Sequence, residues 1–313
     1  MARVVELRLV DKGEVVVKTR PYSLRDTLRV YSFGWMYWGG SGGRVGLGED
    51  CVAHVSEAGG GAVSYELYCA ERPSFDPVES LERVLGVSED ISGYARLARG
   101  DPLVGGVLET MPGYRVRLSS AWAAFLTAVC QQNASFRQGW GMLYRLHLLA
   151  SPRLRLPDGT VYLETPQPGE LNAEVLRRAG LGYRARTVIE ASSLAPLDCK
   201  NVEELRGVRG VGPYTIALVK ILACRDYTLL PLDRWLLKLA ARAYKLPEDR
   251  RAVEEHLRRR FGEWVGLAAL HATIAFDAQP LRRALERLER GLNKPGLDEP
   301  SPITLWRITP PRV

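Results

Sequence analysis

The stretch Leu205-Arg206-Gly207-Val208-Arg209-Gly210-Val211-Gly212-Pro213-Tyr214-Thr215 limits what this chain can fold into more than any other. Gly210 and Gly212 permit a tight turn, and Pro213 suits the first turn of a helix, where its missing N–H would be unpaired anyway. Glu203–Leu205 ends one short helix, and the apolar residues Ile216, Ala217, Val219, Ile221 and Leu222 carry the next one on. Bare glycines before a helix start leave backbone N–H groups free to face an anion. On the glycines alone, the stretch reads equally well as a turn between two packed helices.

Charge and cysteine usage narrow the partner. The 313-residue chain carries a formal net charge of +7, which points to a polyanion. Arg outnumbers Lys, which suits phosphate because guanidinium is planar and multidentate; with scarce Asn and Gln it also fits a heat-adapted source. Cys51, Cys69, Cys130, Cys199 and Cys224 are scattered, with no C-x-x-C pair. That argues against a zinc site, an iron–sulfur cluster and a secreted disulfide framework. The chain opens on no signal peptide, and no apolar run reaches the ~18 residues of a membrane span. The expectation is a monomeric, intracellular (cytoplasmic) protein with no membrane partner.

In order, alternating apolar and polar residues predict two strands, Val4–Val10 and Glu14–Lys18, joined by a turn at Asp11-Lys12-Gly13. An aromatic-rich segment Tyr22–Trp38 ends in Gly39-Gly40-Ser41-Gly42-Gly43, and further strands are expected at Arg44–Gly46, Cys51–Val55 and Ala62–Cys69. From Pro77 the spacing turns helical, with helices over Val78–Leu85, Ile91–Ala98, Ala121–Cys130 and Phe136–Leu149. A Pro-rich loop with a short strand near Val161–Glu164 precedes helices at Glu170–Arg178 and through Ser193. After the glycine turn come Asp233–Tyr244, Ala252–Phe261, the nearly all-apolar Glu263–Asp277 and the charged Pro280–Arg290. Leu305 and Trp306 in the Pro-rich tail are expected to pack back on the body.

Four matches in this order resemble the helix-hairpin-helix (HhH-GPD) DNA glycosylase superfamily, in the branch of 8-oxoguanine and 3-methyladenine glycosylases. The hairpin 205–215 is followed by Asp233, nineteen residues after Tyr214, as the family's hairpin is followed by its catalytic aspartate. Leu181-Gly182-Tyr183-Arg184-Ala185-Arg186 is similar to the oxoguanine enzymes. Ala121–Ser135 resembles the helix that presents a wedge residue to DNA, and Trp264–Asp277 the helix lining the base pocket. Arg20-Pro21-Tyr22 and Ser32-Phe33 sit in a β unit like the one in this branch.

The resemblance implies an α+β fold: an N-terminal antiparallel β domain (1–76), then a two-lobed, mainly α-helical glycosylase domain (77–313). One lobe spans 119–232 with the hairpin, the other 77–118 plus 233–295, and a Pro-rich tail covers 292–313. It also implies roles. Asp233 stabilises the oxocarbenium-like sugar and orients water; its plain alternative is a helix N-cap. Asn133 is the wedge filling the gap left by a flipped base, with Gln132 beside it, and Arg184 and Arg186 contact the DNA near the partner base. Plain readings are a helix C-cap for Asn133 and a surface salt bridge for Arg184. Gly210 and Gly212 hold backbone phosphates through N–H groups, and the carbonyls of Arg206, Val208 and Val211 take a monovalent Na+ or K+. No other cofactor is implied.

Departures from the family pattern set the chemistry. Strand-cleaving members have a Schiff-base lysine where this chain has Tyr214, and Lys220 lies on a different helix face. The expected activity is therefore monofunctional: removal of a damaged base, an alkylated purine as the leading expectation, with the sugar–phosphate strand left whole. The glycine that accepts the oxoguanine N7–H falls on Val30, and the pocket aromatic of the C-terminal helix falls on Thr273. Tyr214 and Trp235 remain to stack on the base, and His271 reads as a satisfied core histidine. The alternatives are an 8-oxoguanine glycosylase and a non-catalytic helix-hairpin-helix DNA-binding protein.

Overall fold

The computed structural model describes residues 3–40, 42–296 and 299–308. Ser41 of the glycine-rich turn and residues 297–298 and 309–313 of the tail lie outside the described residues. The chain starts with strands β1 (Val4–Glu6) and β2 (Arg8–Val16) and helix α1 (Leu24–Arg29). Strands β3 (Gly42–Gly48), β4 (Cys51–Ala58) and β5 (Ala62–Cys69) follow, then α2 (Pro77–Leu85). The helical part runs α3 (Ser92–Ala98), α4 (Gly105–Thr110), α5 (Ala121–Gln131) and α6 (Phe136–Ala150). After β6 (Arg153–Arg155) and β7 (Val161–Leu163) come α7 (Ala173–Ala179), α8 (Arg184–Ala191) and α9 (Pro213–Cys224). The last four helices are α10 (Arg234–Ala243), α11 (Arg250–Phe261), α12 (Val265–Ala275) and α13 (Leu281–Glu289). The architecture is α+β, an N-terminal antiparallel sheet followed by helices.

The sheet has strand order β2-β5-β4-β3, every pair antiparallel. The turn expected at Asp11-Lys12-Gly13 does not form, and β2 runs straight through it, pairing Lys12 with Glu66 and Gly13 with Tyr65. The partner strand explains this. Tyr65 lies over Gly13, where a Cβ would come within 3.0 Å of its hydroxyl oxygen, and that hydroxyl donates to Asp11 Oδ2 at 2.8 Å. The irregularity moves to Leu9/Asp11, where the register shifts. Beyond it, β1 leaves the sheet and pairs in parallel with β6, tying the N-terminus to the helical part.

Apolar side chains collect into three cores. The sheet's inner face closes over Leu24 and Leu28 of α1 and over Leu81, Val84 and Leu85 of α2. The α2 residues recur at i, i+3, i+4, so one stripe of that helix faces the sheet. Residues 77–85, expected with the helical lobes, therefore pack with the sheet. A second core holds α5 to α8, most of α9, and Phe33 and Trp35. A third holds α3, α4, α10, α11, α12 and Ile303. Helix α9 joins the two helical cores, with Ile216 and Val219 buried in one and Ile221 in the other. Leu305 is buried, and Trp306 meets Tyr37 edge-on at 5.3 Å.

Four of the scattered cysteines pair, contrary to the sequence expectation. Cys51 and Cys69 face each other across β4 and β5 and are bonded, and Cys199 bonds to Cys224 at the end of α9. Cys130 is free and buried. The partners are 18 and 25 residues apart, and strand register and helix packing bring them together, which no local spacing reveals. Among the described residues no helix is long and apolar enough to cross a membrane.

Candidate active site

The hairpin forms as its glycines require. A 3-10 turn over Val202–Gly207 precedes it, Gly210 is left-handed at φ 89°, and Gly212 is the extended N-cap of α9 with Pro213 in the first turn. At Gly210 a Cβ would lie 2.7 Å from Thr187 Oγ1, and that hydroxyl donates to Arg209 O at 2.9 Å, locking the turn to α8. Of the three carbonyls expected to hold a cation, that of Val208 already accepts from Val211 N–H at 3.1 Å. A carbonyl oxygen has two lone pairs, so one remains, and an all-oxygen backbone set suits a hard cation. Among the described residues no cluster of three or more His, Cys, Asp or Glu could hold a metal.

Chain reversal after α9 brings Asp233 back beside the hairpin helix. Arg225 ends α9 in the left-handed conformation, and Tyr227 O accepts from Gly266 N–H at 2.7 Å, pinning the connection to α12. Asp233 is the N-cap of α10, its Oδ1 accepting from Leu236 N–H at 2.7 Å. The carboxylate opens onto a cleft of about 1240 Å³ between the helical cores. Tyr214, Trp235, Thr273 and Val30 line the same cleft. Protein atoms around Asp233 raise its pKa above the ordinary carboxylate value, despite backbone N–H bonds that oppose the shift. Its carboxylate is thus exposed on the cleft wall, where neighbouring protein atoms still disfavour its charge. Burial, reinforced by the Asp233 charge, pushes the Tyr214 phenol well above its usual range, so it stays neutral.

The remaining expected residues separate. Gln132 is not a free wedge: its Nε2 donates to Gly210 O at 3.0 Å and to Thr215 Oγ1 at 2.9 Å, stitching α5 to the hairpin. Asn133 is exposed and left-handed at φ 45°, just past the end of α5, and donates to Tyr183 Oη at 3.3 Å. Arg184 is buried rather than directed at a partner base. Its Nε donates to Gln132 O at 3.1 Å, its Nη2 bonds the same carbonyl, and Nη1 donates to Leu181 O. The guanidinium fixes the turn that displays Asn133, so its contribution is to shape. Arg186 is exposed on α8.

Two residues set aside earlier are now placed. Lys220 pairs with Glu203 at 2.5 Å, away from Tyr214. His271 is in the core but not satisfied as expected: neither ring nitrogen has a partner, it meets Tyr94 edge-on at 5.0 Å, and burial lowers its pKa to about 3.

Three residues of this region escaped the sequence reading. Tyr183, inside the quoted Leu181–Arg186 stretch, is 63% exposed beside Asn133. Tyr31, next to the quoted Ser32-Phe33 pair, is left-handed at φ 52°, stacks on Trp140 at 5.4 Å and lines the cleft. Arg117 also lines it, and no local signal marks it, because its position depends on how the segment before α5 is tied to α2 and α9, with Leu118 N–H donating to Val84 O and Ser119 N–H to Leu222 O.

The fold is one shared with several solved DNA glycosylase structures. Neither a family model nor a curated protein matches the chain. Solved structures do. MBOgg1 in complex with a low-affinity DNA ligand has a TM-score of 0.65 at 18% identity, over 90% of this chain and 99% of that one. The 3-methyladenine DNA glycosylase of Archaeoglobus fulgidus has a TM-score of 0.62 at 18% identity, covering 84% and 97%. The Clostridium acetobutylicum 8-oxoguanine glycosylase/lyase, bound to double-stranded DNA with cytosine opposite 8-oxoguanine, has a TM-score of 0.58 at 17% identity, covering 79% and 86%. Likeness at this identity establishes the fold.

Proposed function

We propose that the protein is a DNA glycosylase that hydrolyses the N-glycosidic bond of a damaged purine flipped out of duplex DNA, without cutting the strand. The observation that carries this is Asp233: a carboxylate oriented by the helix it caps, facing a cleft shared with Tyr214. Breaking the bond leaves positive charge on the sugar, and a preorganised anion lowers that barrier by ~3–4 kcal/mol. The bond's electron pair leaves with the base. Water, its proton passing toward Asp233, forms the new C1′–O bond.

Flipping costs a few kcal/mol of stacking and pairing. Exposed Asn133 with Tyr183 fills the gap, while the N–H groups of Gly210 and Gly212 grip phosphate without reading sequence. A Na+ or K+ on the carbonyls of Arg206, Val208 and Val211 would add positive charge beside that phosphate. Tyr214 gives the base a neutral aromatic face and has no amine to form a Schiff base, which supports monofunctional chemistry. Among purines, Tyr214 alone would favour an electron-poor alkylated ring. The β unit and the two lobes flank the duplex, and the enzyme acts as a monomer inside the cell. Its disulfides are compatible with that compartment in a heat-adapted source.

The test is a panel of duplexes, each with one lesion, incubated with wild-type protein and with Asp233→Asn. Base release by the wild type that collapses in the variant supports the proposal. Duplex binding without release of any base would leave only a DNA-binding module.

A further inference from the structure

Arg117 has no part in the reaction above, yet it is the oddest charge in the molecule. It lines the cleft with Tyr31 and Val30, close to the two rings Tyr114 and Tyr162. All its hydrogen bonds come from one nitrogen: Nη2 donates to Ser32 Oγ at 2.8 Å, to Tyr31 O at 3.5 Å and weakly to Met36 Sδ at 4.0 Å. Its buried Nε has no partner, and its Nη1 makes no bond among the described residues. The buried Arg115 and Arg184 instead engage backbone carbonyls through all three guanidinium nitrogens, and Arg287 pairs with Asp277. The groups acting on Arg117 are two tyrosine hydroxyls, not a carboxylate, and burial works against its charge.

A guanidinium cannot shed its proton at any ordinary pH, so it holds an uncompensated charge beside the cleft. Such a charge is costly unless a ligand completes it. The Nη2 bonds prop the Tyr31–Ser32 segment, which is strained at Tyr31, and leave the rest of the fork for an acceptor.

We propose that Arg117 selects the charge of the base, admitting neutral purines with a hydrogen-bond acceptor on the edge away from the sugar and disfavouring cationic alkylpurines. This deepens the glycosylase reading and rests on it. The chemistry of the leaving group points the same way. A cationic alkylpurine departs neutral and needs no positive neighbour, and a nearby guanidinium repels it in the ground state. A neutral purine takes the bond's electron pair and departs as an anion until protonated, so a positive charge at its far edge is worth most as the bond breaks. The choice runs against the alkylated purine that Tyr214 alone favours. A fixed full charge within reach of the base outweighs a stacking preference.

The experiment measures single-turnover excision of hypoxanthine, 8-oxoguanine and cationic 7-methylguanine from matched duplexes by wild type, Arg117→Met and Arg117→Lys. Wild type is expected to prefer at least one neutral purine over 7-methylguanine. Arg117→Met should lower excision of that purine roughly 10- to 100-fold, the range of a hydrogen bond to a charged group. It should leave 7-methylguanine unchanged or faster, and Arg117→Lys should recover part of the preference. Equal loss on all three lesions would mean that Arg117 only supports the fold, and the proposal fails. A wild-type preference for 7-methylguanine overturns it without any variant, so it is decided even if Arg117→Met does not fold. In both cases Asp233-dependent release persists and the glycosylase reading stands. Only absence of release from every lesion refutes both.

Discussion

Replacing Asp233 with asparagine should separate catalysis from folding at one residue. The side chain caps α10 through Oδ1, which accepts from Leu236 N–H at 2.7 Å. Asparagine presents an amide oxygen at the same place and caps as well as aspartate, whereas alanine loses the cap at ~1 kcal/mol. Native packing raises the Asp233 pKa, so the folded protein holds that proton to higher pH than the unfolded chain does. As pH climbs from the ordinary carboxylate value, about 3.9, through the raised native one, the native state loses stability relative to the unfolded chain. The neutral amide escapes this penalty. At pH 7 Asp233→Asn should therefore melt at the wild-type temperature or above it, any advantage vanishing once the pH is below both pKa values. Its single-turnover base excision should fall ~10²- to 10³-fold, the worth of one preorganised charge. The assay pairs excision kinetics with thermal melts at pH 3.5 and 7. Unchanged excision would remove Asp233 from the mechanism. A lower melting temperature at pH 7 but not at pH 3.5 would refute the claim that its charge is held at a cost.

Other outcomes follow from the same contacts. Borohydride added during turnover should trap no protein on DNA, because Tyr214 offers no amine; efficient trapping would overturn monofunctional chemistry. Arg184→Ala strands the Gln132 carbonyl and should cost ~1–3 kcal/mol in urea unfolding while weakening duplex affinity through the Asn133 turn. Gly210→Ala places a methyl 2.7 Å from Thr187 Oγ1 at φ 89°, and should loosen DNA binding in titrations with little effect on the sheet. Reducing Cys199–Cys224, which closes 25 residues around the hairpin, should lower stability by about 3.5 kcal/mol on a chain-entropy basis, read as a fall in the denaturation midpoint.

Local signals in the sequence determine the elements and the two ends of the site. Gly210, Gly212 and Pro213 specify a turn and a helix start wherever they occur, because the constraint is on their own backbone. Asp233 is legible for the same reason, as a cap before an apolar helix. What depends on neighbours distant in sequence is not legible. The turn at Asp11–Gly13 yields to the pull of β5, and the cysteines pair only after strands and helices are packed. Arg184 reads as a surface cation until α5 ends beside it and presents the Gln132 carbonyl. Arg117 is the extreme case. Its residue type was plain, but an uncompensated charge is defined by what fails to surround it, and only the folded chain decides which carboxylates stay away. Backbone preferences are set over a few residues; electrostatic environment is set by everything within the reach of a charge in a poorly hydrated interior.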